Sequence, residues 1–171
     1  MGICYNILMT LFYRSQRVGK KGKLFTLYKF KTLNEGYNNS FVQENAYKPL
    51  GHFLRKTKLD EFPQLWNVLK GDLNLVGPRP EEERTIDLIP EDIKGALLSR
   101  RPGLTSLASL HFFDEGQLLE KSPDPYKDYW ERIKPMKFIL DVFYIQNRDI
   151  LLDFWIIWRT MLLMAKSLIG R

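Results

Sequence analysis

Residues 150–169 read ILLDFWIIWRTMLLMAKSLI, a long apolar run broken by Asp153 and Arg159. A segment of this kind can cross a bilayer, lie in its surface, or fill a protein core. Crossing takes about 20 apolar residues, and a charge near the bilayer centre is costly, so a spanning helix is disfavoured. A helix lying in the interface suits the run better, with Trp155 and Trp158 at headgroup depth and Lys166 and Arg171 at its end. The competing fate is a buried core helix.

The rest of the chain must supply what this helix packs on. With 171 residues, 44% of them hydrophobic and 27% charged, it is long enough to bury a core and too apolar for wholesale disorder. One cysteine, Cys4, and two histidines, His52 and His111, exclude a disulfide framework and a Cys- or His-based metal centre. Any divalent metal would sit on carboxylates and phosphates, which favours Mg²⁺, or Mn²⁺ in its place. Residues 1–12 are apolar but too short to span and carry no charged leader; Asn6 argues against a myristoylation signal.

Charge is placed unevenly. Arg14, Arg17, Lys20, Lys21, Lys23, Lys29 and Lys31 precede the first acidic residue, and Glu81, Glu82, Glu83, Asp87, Glu91 and Asp92 cluster later. A basic first third fits a polyanionic partner, whether nucleic acid, anionic lipid or a phosphorylated substrate. A solvated charged surface is the plain alternative.

The patterning predicts an α+β fold: a small N-terminal β-hairpin with several amphipathic helices, packed at a membrane interface. Strands are predicted over 7–13 and 24–32 around a Lys20–Lys23 turn, followed by a loop over 34–40. A short helix is predicted over 49–56. Leu59, Phe62, Leu65, Trp66 and Leu69 mark one helical face, stopped by Gly71. A strand over 73–76 ends at Gly77-Pro78. Pro80 followed by three Glu predicts a helix start. Helices follow over 89–101, 128–146 and 150–168, the last two split where Asn147 or Asp149 can cap. No internal repeat and no second domain are discernible, so residues 1–171 read as one domain.

The chemistry concentrates in Leu54–Pro80, LRKTKLDEFPQLWNVLKGDLNLVGPRP. Pro63 fits only near the start of a helix, which places Asp60 and Glu61 at that helix's N-terminal end. Adjacent carboxylates there can divide roles as nucleophile or metal ligand and as acid or base. Arg55 and Lys58 lie just upstream, within reach of a phosphate. Plain capping competes with this, because Thr57-x-x-Asp60 has the form of a capping box. In Gly77-Pro78-Arg79-Pro80 two prolines restrict the backbone around Arg79, so its planar fork is aimed at low entropic cost; a rigid turn with an exposed Arg is the alternative.

This block closely resembles the signature of the bacterial sugar transferases, the monotopic polyprenyl-phosphate phosphoglycosyl transferases. The resemblance extends through Tyr13–Gly19 and Leu24–Thr32 upstream, and through Arg101–Thr105 and Asp141–Asn147 downstream. It implies transfer of a sugar 1-phosphate from a nucleoside diphosphate sugar, typically a UDP-sugar, to polyprenyl phosphate such as undecaprenyl phosphate. That step initiates bacterial glycoconjugate or exopolysaccharide synthesis. It implies Asp60 as nucleophile and metal ligand, Glu61 as the other half of a catalytic dyad, and Lys29, Arg55 and Arg79 as substrate-binding cations. It further implies Mg²⁺, a covalent phospho-sugar on Asp60, a membrane-interface setting on the cytoplasmic face of the bacterial inner membrane, and no nucleic-acid partner.

The chain departs from the pattern in three places. It starts near the end of the family's re-entrant membrane helix, so a domain without that helix is expected. Lys58 stands where the family usually has Ser. Residues 106–113, SLASLHFF, replace a Gly-x-x-Gln-x-x-Gly-Arg pattern tied to donor contacts. A non-catalytic relative that binds a partner, and a basic protein binding nucleic acid or a lipid surface, are the competing readings. The sequence sets neither the sugar nor an oligomeric state.

Overall fold

The computed structural model describes residues 11–34 and 47–169. The predicted strand over 7–13 and loop over 34–40 lie largely outside them.

Strand β1 (Phe12–Val18) and strand β2 (Leu24–Phe30) form the hairpin, paired antiparallel from Phe12 opposite Phe30 to Val18 opposite Leu24. A tight turn joins them, with Lys21 and Gly22 at φ 58° and 77°. The strand runs on to Val18, past the predicted end at Tyr13, because Arg14 and Arg17 find partners on neighbouring strands. Arg14 lies over the Tyr28 ring at 5.9 Å, and Arg17 meets Glu82 at 3.1 Å.

Helix α1 (Gly51–Lys56) precedes a 3₁₀ segment, Leu59–Gln64, which passes into helix α2 (Leu65–Leu69). The predicted single helix over this stretch therefore opens in tighter winding: Pro63 has no N–H to close an α-turn. Its supposed core face is turned outward, with Phe62, Trp66 and Leu69 exposed. The capping box does not form either. The Thr57 hydroxyl donates back to the Phe53 and Leu54 carbonyls of α1.

Strand β3 (Asn74–Val76) pairs in parallel with a later strand, Gly103–Thr105. The two cross at glycines: a Cβ added to Gly103 would stand 2.2 Å from Gly77 N, and one added to Gly77 would stand 2.7 Å from Arg101 O. Glu81–Glu82 is not the predicted helix start but a two-residue strand, β4, antiparallel to β1. Pairing takes precedence over the helix-start signal because Glu82 meets Arg17 and Glu81 meets Lys134, at 2.5 Å, inside the fold. The sheet order is β2-β1-β4, and Gly103–Thr105 is β5.

Helix α3 (Glu91–Leu98) precedes β5. The short helices α4 (Leu107–His111), α5 (Glu115–Glu120) and α6 (Pro125–Asp128) follow it. After a wider turn over Tyr129–Ile133 come α7 (Lys134–Asn147) and α8 (Ile150–Ile169). Asp149 caps α8, its carboxylate accepting from Leu152 N at 2.6 Å.

The core lies in three clusters. Phe25, Leu27 and Leu73 pack under the hairpin; Val76, Tyr144 and Ile156 join β3 to α7 and α8; Ile89, Leu97 and Phe138 join α3 to α7. Helix α8 is therefore a core helix along one stripe: Ile156 is fully buried, while Ile150, Leu151, Phe154, Trp158 and Met161 remain exposed. Asp153 is satisfied within the fold, accepting from the Tyr144 hydroxyl at 2.5 Å and from Arg148 at 2.9 Å. Among the described residues no helix is long and apolar enough to cross a membrane. The α+β class holds.

Candidate functional site

The 3₁₀ segment carries Asp60 and Glu61 against β2, and one side chain sets that docking. Asn67, fully buried, donates to the Thr26 carbonyl at 2.7 Å and accepts from the Tyr28 N–H at 3.3 Å. Its amide thus stands in for a neighbouring strand along the free edge of β2. It also donates to Asp72 at 3.1 Å, fixing the turn after α2. Lys29, next along β2, is thereby brought to Glu61.

Glu61 is doubly paired. Its Oε1 accepts from Lys29 Nζ at 2.6 Å and from Arg79 Nη2 at 2.7 Å. Burial alone would raise the Glu61 pKa, but the guanidinium of Arg79 and the ammonium of Lys29 hold it well below the usual carboxylate range. Asp60, only 7% exposed, makes no ion pair among the described residues. Burial raises its pKa, opposed by Lys29, Arg55 and Lys58 and reinforced by Glu61. Two neighbouring carboxyls are thus driven in opposite directions, the pattern of an acid–base pair with divided roles.

Arg79 arrives from the far side. Its flanking prolines restrict the backbone as anticipated, and its N–H donates to Asp141 Oδ2 at 3.2 Å. The guanidinium meets Glu61, with a longer contact to the Ser109 hydroxyl at 3.5 Å. Asp141, on α7 and 3% exposed, was not singled out from the sequence. Burial pushes it up to about 7, against the Arg79 backbone N–H, with Glu81 adding to the rise and Ser106 and Lys134 opposing it.

Arg55 lies over the Tyr47 ring at 5.7 Å, and its buried Nη1 has no hydrogen-bond partner among the described residues. The predicted cations Lys29, Arg55 and Arg79 thus all reach the dyad's surroundings, but they divide: Lys29 and Arg79 bind Glu61, and Arg55 does not. Asn67 and Asp141 were missed because their partners lie far away in sequence, on β2 and in the Pro-Arg-Pro turn. An Asn or Asp in an otherwise apolar helical face was the available signal.

Among the described residues no three His, Cys, Asp or Glu side chains gather as a metal cage. Mg²⁺ usually binds through one or two carboxylates together with substrate phosphates, keeping several waters. A lone buried carboxylate beside uncommitted cations fits a metal that arrives with a phosphorylated ligand.

Comparison with known proteins gives a consistent result. Residues 3–167 match the family described as bacterial sugar transferase. The uncharacterized sugar transferase EpsL of Bacillus subtilis (strain 168) is 35% identical over 153 residues, covering 88% of this chain and 67% of EpsL. The undecaprenyl-phosphate galactose phosphotransferase of Salmonella typhimurium (strain LT2) is 37% identical over 115 residues, 56% of this chain and 24% of that protein. The UDP-glucose:undecaprenyl-phosphate glucose-1-phosphate transferase of Klebsiella pneumoniae is 33% identical over 156 residues, 86% of this chain and 31% of that protein. The chain therefore spans about two thirds of the first relative and less than a third of the other two.

Proposed function

The chain belongs to the bacterial sugar transferase family, and on that premise we propose that it moves a sugar 1-phosphate from a nucleoside diphosphate sugar to polyprenyl phosphate, with Asp60 as nucleophile. The observation that carries this reading is the asymmetry of the dyad. Glu61 is neutralised by Lys29 and Arg79, while its neighbour Asp60 is buried without an ion pair among the described residues. A carboxylate so placed has lost much of its hydration and holds its lone pairs available for attack.

In the first step an Asp60 carboxylate oxygen attacks the sugar-side phosphorus of the donor diphosphate. The bond from that phosphorus to the bridging oxygen breaks, and the nucleoside monophosphate leaves with the electron pair. In the second step a phosphate oxygen of the polyprenyl acceptor attacks the same phosphorus. The bond to Asp60 breaks, the carboxylate is regenerated, and a polyprenyl diphosphate sugar is released. Glu61 orients Lys29 and Arg79, and Arg55 offers charge to the phosphates. Asp60 would hold Mg²⁺, or Mn²⁺ in its place, together with those phosphates; the ion supplies charge neutralisation when bound.

The acceptor is a lipid, so the protein works at a membrane surface, and we place it at the cytoplasmic face of the bacterial inner membrane. The exposed apolar side of α8 and the outward Phe62, Trp66 and Leu69 support this setting. The test is incubation with several UDP-sugars, polyprenyl phosphate and Mg²⁺ while UMP is measured. Acceptor-dependent UMP release with at least one sugar is expected; none with any sugar would contradict the reading.

A further inference from the structure

Four cations surround the dyad, and they fall into two pairs. Lys29 and Arg79 are both spent on Glu61 Oε1, at 2.6 and 2.7 Å. Arg55 and Lys58 make no ion pair among the described residues, and each rests on an aromatic ring. Arg55 Cζ lies 5.7 Å from the centre of the Tyr47 ring, and Lys58 Nζ lies 5.4 Å from that of Phe113. Lys58 also stands in the left-handed region, at φ 60° and ψ 12°, two residues before Asp60. It stands just past the end of α1, where chains often turn left-handed to leave a helix, and its N–H donates to the Arg55 carbonyl at 3.2 Å. Its side chain caps no helix; what it reaches is Phe113, itself 9% exposed.

We propose that Lys58, seated on Phe113, is a further donor-binding cation of an anion site beside Asp60, and that with Arg55 it takes the diphosphate of a nucleoside diphosphate donor. The inference rests on the transfer reading above. A ring face attracts an ammonium more weakly than a phosphate does, so an arriving diphosphate draws Lys58 off Phe113 without breaking an ion pair. Lys29 and Arg79 are held in place by Glu61 and can offer a phosphate only the N–H donors that Glu61 does not take. The left-handed backbone fixes where the lysine stem emerges, and Phe113 holds its charge in reserve two residues from Asp60.

The test measures binding of inorganic pyrophosphate with Mg²⁺ by titration calorimetry, alongside donor turnover, for wild type, Lys58→Gly, Lys58→Arg and Phe113→Leu. Glycine suits the left-handed backbone, so Lys58→Gly should melt no lower than wild type while losing the charge. Its Kd for pyrophosphate should weaken about tenfold, that of Phe113→Leu less, and that of Lys58→Arg least, with donor KM following the same order. Pyrophosphate binding as tight in Lys58→Gly as in wild type overturns the role of Lys58, as does a wild type that binds no pyrophosphate. If wild type binds pyrophosphate through Lys58 yet turns over no donor, the transfer reading fails and the anion site stands.

Discussion

Asp60 and Glu61 are neighbours in sequence and opposites in circumstance, which makes their substitutions separable. Glu61→Gln removes the charge that two cations share and leaves Lys29 and Arg79 facing a neutral amide. Breaking a buried pair costs about 3 kcal/mol, so this variant should lose stability as well as turnover. Asp60→Asn discharges a buried group whose ionisation burial opposes. It should abolish turnover while urea unfolding shows equal or greater stability. A strongly destabilised Asp60→Asn protein would contradict the assignment of roles. The pH dependence of turnover follows the same logic: because the Asp60 pKa is raised, activity should fall on acidification at a pH above the ordinary carboxylate range. Asp141 gives a second pH effect. Its folded pKa of about 7 lies above the unfolded value near 3.8, so the folded state binds the extra proton between those limits. Its own contribution to stability should be greatest below about pH 4 and fall as pH rises to about 7, by on the order of 4 kcal/mol. Asp141→Asn, whose side-chain oxygen still accepts from the Arg79 N–H, should flatten that slope in urea unfolding. An unchanged slope would refute it.

At the scale of elements, the site is held by contacts that join distant segments. Asn67→Ala would strip the Thr26 carbonyl and the Tyr28 N–H of their partners and cost about 3 kcal/mol. It should also raise donor KM, since β2 carries Lys29. Thermal unfolding and donor kinetics check both, and loss of stability without any kinetic change would show that Asn67 does not position the site. These cross-links explain what the sequence revealed and what it hid. The hairpin, α1, β3 and the long final helix follow from local patterning. The dyad, Arg55, Arg79 and Lys29 were legible because their motifs are contiguous. Glu81–Glu82 was misread because its strand pairing depends on Arg17, more than sixty positions earlier. The outward turn of Phe62 and Trp66 depends on how Asn67 docks the segment on β2, which periodicity does not encode.

For the whole molecule, α8 is a core helix on one side and an exposed apolar surface on the other. Ile156 is buried against Val76 and Tyr144, so deleting the helix would open the core. Its outer side, with Leu151, Phe154 and Trp158 exposed, is left for a surface such as a membrane, where each large side chain contributes about 1.5 kcal/mol on burial. Liposome co-sedimentation should show weaker binding for the triple variant Leu151→Ser, Phe154→Ser and Trp158→Gln, at unchanged stability. Equal binding would assign attachment to the basic first third, which high salt would then release. In the proposed mechanism Asp60 carries the sugar phosphate between donor and acceptor. Intact-protein mass spectrometry of the chain incubated with a UDP-sugar and Mg²⁺, without polyprenyl phosphate, tests it most directly. An adduct of one sugar phosphate is expected that maps to the peptide containing Asp60, is absent in Asp60→Asn, and disappears when acceptor is added. UMP release by a folded Asp60→Asn protein at the wild-type rate, with no adduct in either chain, would contradict it.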